Sequence, residues 1–434
     1  MPSLEITLLT LALCLSGGFQ QGYIASVLNQ PYIHIEQFIN ETVQERMGVE
    51  PSENTLNLIW SSLNIMFPVA SIFGQFLAAW LCKRLGRKGT ALFSCAMYIP
   101  GTLLCSLASS ARSFELLFLG RLLWSLANGV QSVNATVWIV ECAPAGVRGS
   151  MAALQEFSMA AGSLLCQTIG IPFASPTLWP LVFLPNIPVV LIAAVICLCV
   201  PDSPVSILER EGDNEKARAS LAKYYGVESD NKVLDAELGG KNSKKTTNEE
   251  EDKGIAWVFN PFGLDDEKAR VVRQAAWLGV MVKLAYVFTG ARCLRSYSTF
   301  VLHSLSKFPF NHALYGSFGI SLLRIPATLV PVLFVDRIGR RPLILTSLGV
   351  SLLALIAMIA SIKLGKEFKI VSLISFATLL LVNAAGLGSV SRFYAAELVP
   401  RPLLLSAVSI LAGIEVLNDI AHRKNLKVTF TPQS

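Results

Sequence analysis

The sequence predicts an all-α membrane protein folded as two pseudo-symmetric helix bundles, and three observations predict it. Hydrophobic residues fill 53% of the 434 positions and charged residues only 15%, against about 25% charge in an ordinary soluble domain. Mean hydropathy is +0.53. Apolar runs of membrane-spanning length recur along the chain, and the same basic turn closes one run in each half. So few charges cannot cover the surface of soluble domains this large. The apolar content also excludes a disordered, collagen-like or disulfide-scaffold chain.

A spanning helix needs about 20 mostly apolar residues. The first run, 4–28, lacks an A-x-A cleavage site and reads as a retained helix. Runs 57–81, 90–109, 115–139, 150–171 and 178–200 complete a first bundle over residues 1–200. A polar stretch, 201–273, follows as a cytosolic loop. Within it Asp213 to Tyr225 reads as an amphipathic helix capped by Asp213, and Gly239 to Gly254 as a disordered linker. Runs 274–301, 313–335, 342–362, 370–395 and 402–420 form a second bundle over 274–434 that lacks a twelfth helix.

Basic residues orient the chain. Lys83, Arg84, Arg87, Lys88, Arg148, Arg337, Arg340, Arg341 and Arg401 fall in one set of short loops. The opposite set carries fewer, so the N-terminus and the 201–273 loop are expected in the cytosol. The 30–56 loop is then extracellular, and Asn40-Glu41-Thr42 is a glycosylation sequon on the correct side. Arg423, Lys424 and Lys427 after an odd number of crossings break the rule.

The halves repeat each other. Arg84-Leu85-Gly86-Arg87-Lys88 closes the second run and Arg337-Ile338-Gly339-Arg340-Arg341 the eighth. Glu141-Cys142-Ala143-Pro144 and Glu397-Leu398-Val399-Pro400 follow in the same order. Parallel six-helix repeats place a solute site between two bundles. Gly86 and Gly339 supply the backbone freedom of the tight turns. Their arginines can reach Glu141 and Glu397 and latch the bundles at the cytosolic face.

Other chemistry is absent from the pattern. The nine cysteines sit in or beside apolar runs as small hydrophobes, and the four histidines have no ligand spacing. No metal, cofactor or nucleophile–base–acid set is expected, and the chain is not read as an enzyme. The net charge of +6 comes with no basic patch interleaved with aromatics, so no nucleic acid is expected. The partners are the bilayer and a small solute.

These residues resemble the sugar-porter branch of the major facilitator superfamily, most closely its animal facilitative glucose transporters. The resemblance runs from about residue 10 to 410. It is carried by Gln20-Gln21-Gly22-Tyr23 with Asn29 and Pro31, by Gly120-Arg121, and by Glu141 with Arg148-Gly149. Leu178-Trp179-Pro180, Pro201-Asp202-Ser203-Pro204, Asp336-Arg337 with Gly339-Arg340-Arg341, and Glu397-Leu398 complete it. It implies the major facilitator fold and alternating-access diffusion of a hexose, with residence in the plasma membrane. It also implies polyol contacts at Gln20, at Gln155 on the family's fifth-span glutamine, and at Gln167 on the next. Arg84, Arg87, Glu141, Arg148, Asp336, Arg337, Arg340, Arg341 and Glu397 would form the cytosolic gate.

The second half departs from that pattern. The family's Q-Q-x-S-G-x-N aligns with Tyr286 to Arg292, its eighth-span asparagine with Arg324 and its tenth-span tryptophan with Arg392. The tenth-span G-P-G-P is reduced to Gly386-Leu387-Gly388, Lys83 replaces an aspartate, and the P-E-T-K-G ending is missing. Amides donate and accept at once, whereas arginine only donates. Lys283, Arg292, Arg295, Arg324 and Arg392 fall inside apolar runs. Each would cost roughly 2.5–3.5 kcal/mol facing lipid, and Glu415 is the only acid well inside a run of this half. They are expected to line a wet cavity, snorkel or bind an anion. Three readings stay open: a sugar-porter-like facilitator, a carrier of organic or phosphorylated anions clamped by Arg292, Arg324 and Arg392, and a non-transporting relative, either a sensor or a truncated product.

Overall fold

The structure, a computed structural model, describes residues 3–48, 51–227, 267–364, 366–388 and 390–391. Every regular element among them is helical. The 402–420 run, the Gly239 to Gly254 linker and Glu397 lie outside the described residues.

The first run is two helices, α1 (Leu4–Leu13) and α2 (Phe19–Ser26), joined by a π-turn over Cys14–Gly18. Ser3 caps α1, and its hydroxyl donates to the Tyr224 carbonyl. The 30–56 segment is not the open loop expected. Most of it is α3 (Tyr32–Met47), ended by Gly48 at φ 67°. The reason lies in the spacing of Ile35, Phe38, Ile39 and Val43, which bury one helical face. The Arg46–Glu115 ion pair and the Arg112–Glu45 pair at 2.6 Å dock its end.

The second and third runs form one helical stretch, α4 (Glu53–Leu107), broken at Gly86 with φ 77° and ψ 176°. Only glycine adopts that conformation readily. A Cβ there would also strike the Asp202 carboxylate. Helices α5 (Phe114–Cys142) and α6 (Ala145–Phe173) follow. The first helix crosses α6 in close contact, since a Cβ on Gly22 would overlap the Met159 carbonyl. The sixth run starts as a 3-10 turn, Trp179–Phe183, before α7 (Asn186–Cys199). Helices α8 (Pro204–Glu211) and α9 (Asn214–Tyr225) lie beyond it. Asp213 caps α9 as expected, and the Lys216 backbone N–H it accepts holds its carboxyl below the usual range.

In the second half α10 (Glu267–Phe288) starts inside the stretch expected to be loop. The seventh run is a broken helix. Gly290 at φ 65° separates α10 from α11 (Ala291–Ser296), and a short turn leads to a second π-turn at Val301–Leu305. Helices α12 (Phe310–Ile338), α13 (Arg340–Leu364) and α14 (Lys369–Ala385) follow, and α14 stops at Gly386.

Among the described residues Asn54–Leu107, Trp179–Cys199, Phe310–Val330 and Arg340–Leu364 are long and apolar enough to cross a membrane. Their exposed faces carry Phe73, Trp80, Val195, Leu198, Leu352 and Leu353, which suits a lipid solvent. The first bundle is cored by Tyr23, Trp124, Trp179 and Phe183. The two halves meet along α6 and α12.

Candidate functional site

A narrow cavity lies where α6 faces the second half. Glu156 from α6, Tyr286 from α10, Arg295 from α11, Arg324 from α12 and Asn383 from α14 all line it. Four elements of one half and one of the other thus share a wall. Arg324 Nη2 lies 3.7 Å from Glu156 Oε2, with the two side chains 4% and 2% exposed. This corrects the expectation that no acid could neutralise the buried cations. The acid comes from the other half. Lys283, Arg295 and Arg324 are all buried, so none of the three faces lipid. The Arg292 side chain and all of Arg392 lie outside the described residues.

The expected polyol contacts are placed differently from one another. Gln20 accepts from Trp124 Nε1 at 3.3 Å and donates to the Leu15 carbonyl at 3.4 Å, inside the first bundle. Gln155 turns to the first helix, accepting from Gly18 N at 3.2 Å and reaching Cys14 Sγ at 3.6 Å. Its neighbour Glu156 takes the cavity. Successive helix residues point about 100° apart, so a reading one position off selects the wrong face. Gln167 is fully buried, and neither amide atom has a hydrogen-bond partner.

The gate residues divide likewise. Arg87 is saturated: Nε and Nη2 donate to Glu141 at 3.1 and 2.7 Å, and Nη1 to Glu209 at 2.8 Å. Ser203 also donates to Glu141. Asp202 accepts from the Lys88 and Ser203 amides at 3.0 and 2.8 Å. This cluster staples the first bundle to α8. The contacts described join parts of one half; Glu397 and the side chains of Asp336 and Arg337, through which a latch between the bundles is expected, lie outside the described residues. Arg84 lies 5.3 Å over the Trp80 ring. Gly339 adopts φ 87°, matching Gly86. Arg340 is half-buried and Arg341 exposed; the side chains of Arg148, Asp336 and Arg337 lie outside the described residues.

The opposite end does join the halves. Asn29 Nδ2 donates to Ser298 Oγ at 2.8 Å, and Asn29 Oδ1 accepts from Thr299 N at 3.2 Å. Thr299 Oγ1 donates to Gln30 Oε1 at 3.2 Å. Tyr32 packs edge-on against Phe300 and Phe310. Sequence reasoning had noted Asn29 only as part of a motif. The Asn40 side chain is half-exposed on α3, while Thr42 of its sequon is buried.

Two helix bundles around a polar cavity, bridged at one end, define an α-helical transporter of the major facilitator fold. The chain belongs to the Sugar (and other) transporter family, whose family model matches residues 9–420. It is 28% identical over 399 residues to facilitated glucose transporter member 3 of Rattus norvegicus, covering 90% of this chain and 78% of that protein. Member 7 of Mus musculus is 26% identical over 427 residues, covering 96% and 80%. The proton:xylose symporter XylE bound to 6-bromo-6-deoxy-D-glucose superposes with a TM-score of 0.81 at 18% identity, covering 98% of this chain and 89% of that one. The inward-open form of XylE from E. coli gives 0.73 at 18%, covering 99% and 91%.

Proposed function

We propose that the chain moves a small hydroxylated solute of hexose size across the plasma membrane by facilitated diffusion, through alternating access. The observation carrying this reading is the cavity whose wall is shared by Glu156 of one half and Arg324 of the other. A rocking motion of the halves opens such a cavity to one side and then the other. Gln167 supports it as a hydroxyl contact, since its buried amide has both a donor and an acceptor unused. With the N-terminus cytosolic, the Asn29 bridge closes the extracellular end. Arg84, Arg87 and Glu141 then stand at the cytosolic end beside Arg148, and Asp336, Arg337, Arg340, Arg341 and Glu397 complete that gate from the second half. Asn40 is the glycosylation site.

The relatives' names support sugar as the solute class, since member 3 and member 7 are facilitated glucose transporters. Reconstitution into proteoliposomes and uptake of labelled hexose-sized solutes, neutral and charged, tests the reading. Saturable uptake of at least one, competed by its analogues, is the expected result. Leak-level uptake of all of them by correctly inserted protein overturns it.

A further inference from the structure

We infer that Gln30 is a specificity-determining residue, an amide that grips the solute together with Gln167 and recognises adjacent hydroxyls on one edge of a polyol. The inference rests on the transport reading above and deepens it. Gln30 stands between Asn29 and Pro31, and the resemblance gives it no role. It is 1% exposed, at the end where the halves join. Its Oε1 accepts from Thr299 Oγ1 of the second half at 3.2 Å. Its Nε2 is buried and donates to no acceptor among the described residues. The side chain lies flat on α6, since a Cβ added to Gly170 would come within 2.8 Å of Gln30 Cβ and Cγ. Gln167 is three residues earlier on α6, and residues three apart share a helix face about 5–6 Å apart. The two amides thus stand one turn apart on one face, and Gly170 leaves room for the one nearer the bridged end.

Three polar atoms on this face have no partner among the described residues: Nε2 and Oε1 of Gln167 and Nε2 of Gln30. Buried polar atoms in that condition are scarce, because each costs free energy comparable to a lost hydrogen bond. Two amide donors and one acceptor are answered by hydroxyls, which accept and donate at once. A carboxylate accepts only and leaves the Gln167 carbonyl unanswered, and an apolar solute answers none of the three. A hydroxyl taken by Gln30 also acts on the gate. It holds the carboxamide with Oε1 turned to Thr299, whose backbone N–H donates to Asn29 Oδ1 at 3.2 Å. Solute bound to Gln30 thereby favours the joined state of that end, so closing follows loading.

The test uses proteoliposomes and whichever of labelled glucose, galactose, fructose and xylose the unsubstituted protein takes up fastest, competed by its mono-deoxy analogues. Expected is one analogue that competes about three- to tenfold less well than the parent sugar, because it lacks the hydroxyl that Gln30 meets. In Gln30→Met, which keeps the length and removes both amide groups, that handicap should vanish while those of the other analogues remain. The parent's KM should rise by the same factor. Gln167→Leu should erase the handicap of a different analogue, the one lacking the adjacent hydroxyl. Thr299→Val removes the gate bond and keeps the Gln30 donor, so it should lower the maximal rate and leave the analogue ranking as it was. Each variant is first shown to be monodisperse and inserted. Gln30→Asn, an amide one methylene shorter, takes the place of Gln30→Met if that variant fails to fold. Equal weakening of every analogue in the Gln30 variant, or no change at all, overturns the inference and leaves the transporter reading intact. Uptake of none of the four sugars overturns the inference too, and the wider panel then decides the transporter reading.

Discussion

Arg87 and Arg324 are both buried guanidiniums facing carboxylates, and the way they differ separates scaffold from machinery. Arg87 uses three nitrogens at 2.7–3.1 Å on two acids. Its partners belong to the first bundle and to α8, which folds back on it. Arg324 meets Glu156 at 3.7 Å across the boundary between halves. A saturated, tight cluster inside one rigid unit does not change as the halves rock. A longer pair spanning the boundary must stretch or re-form. The same chemistry staples one half in one place and links the two halves in the other.

Breaking the staple should have the largest effect. Arg87→Ala leaves Glu141 buried without its counter-ion and should cost about 3–5 kcal/mol, read as loss of monodisperse protein in detergent. Arg324→Gln should cost less, up to about 3 kcal/mol, because the pair is longer. The double change with Glu156→Gln should recover most of that stability, since it removes both charges. Failure of the double variant to recover melting temperature would mean that Arg324 is held mainly by other contacts. Gln167→Leu should stabilise the empty protein by about 1–3 kcal/mol, because it removes an unsatisfied buried amide, while slowing uptake. Asn29→Ala should cost roughly 1 kcal/mol and open the bridged end, raising thiol labelling of a cysteine placed at Ser298. The smallest effect belongs to α9. The Asp213 carboxyl is depressed in the fold, so its cap is complete above the unfolded value and is lost as pH falls through the folded one. Protection of the Lys216 amide should drop in that acid window and nowhere else.

Local signals made much of the scaffold legible. Gly86 and Gly339 sit between basic residues in matching turns, and both adopt positive φ. Asp213 before a polar–apolar pattern became a helix cap. The helical face of α3 was equally present in the spacing of Ile35, Phe38, Ile39 and Val43 and was missed because the segment carries many charges. Glu156 was missed for another reason. It stands beside Gln155, and motif matching chose the glutamine, whereas the cavity lies on the neighbouring face of α6. An acid in the middle of an apolar run was the signal that could have found it.

By itself the sequence determined that this chain crosses a bilayer as helices, where those helices turn, and that two halves repeat. Each of these follows from hydrophobic run length, glycine freedom and short-range capping, which act over a few residues. Only the tertiary structure decided which buried charges meet, that Arg87 is answered within its own half and Arg324 from the other. Helix rotation and the packing of α6 on α12 set those partners, and no local spacing encodes an angle between segments so far apart in the chain.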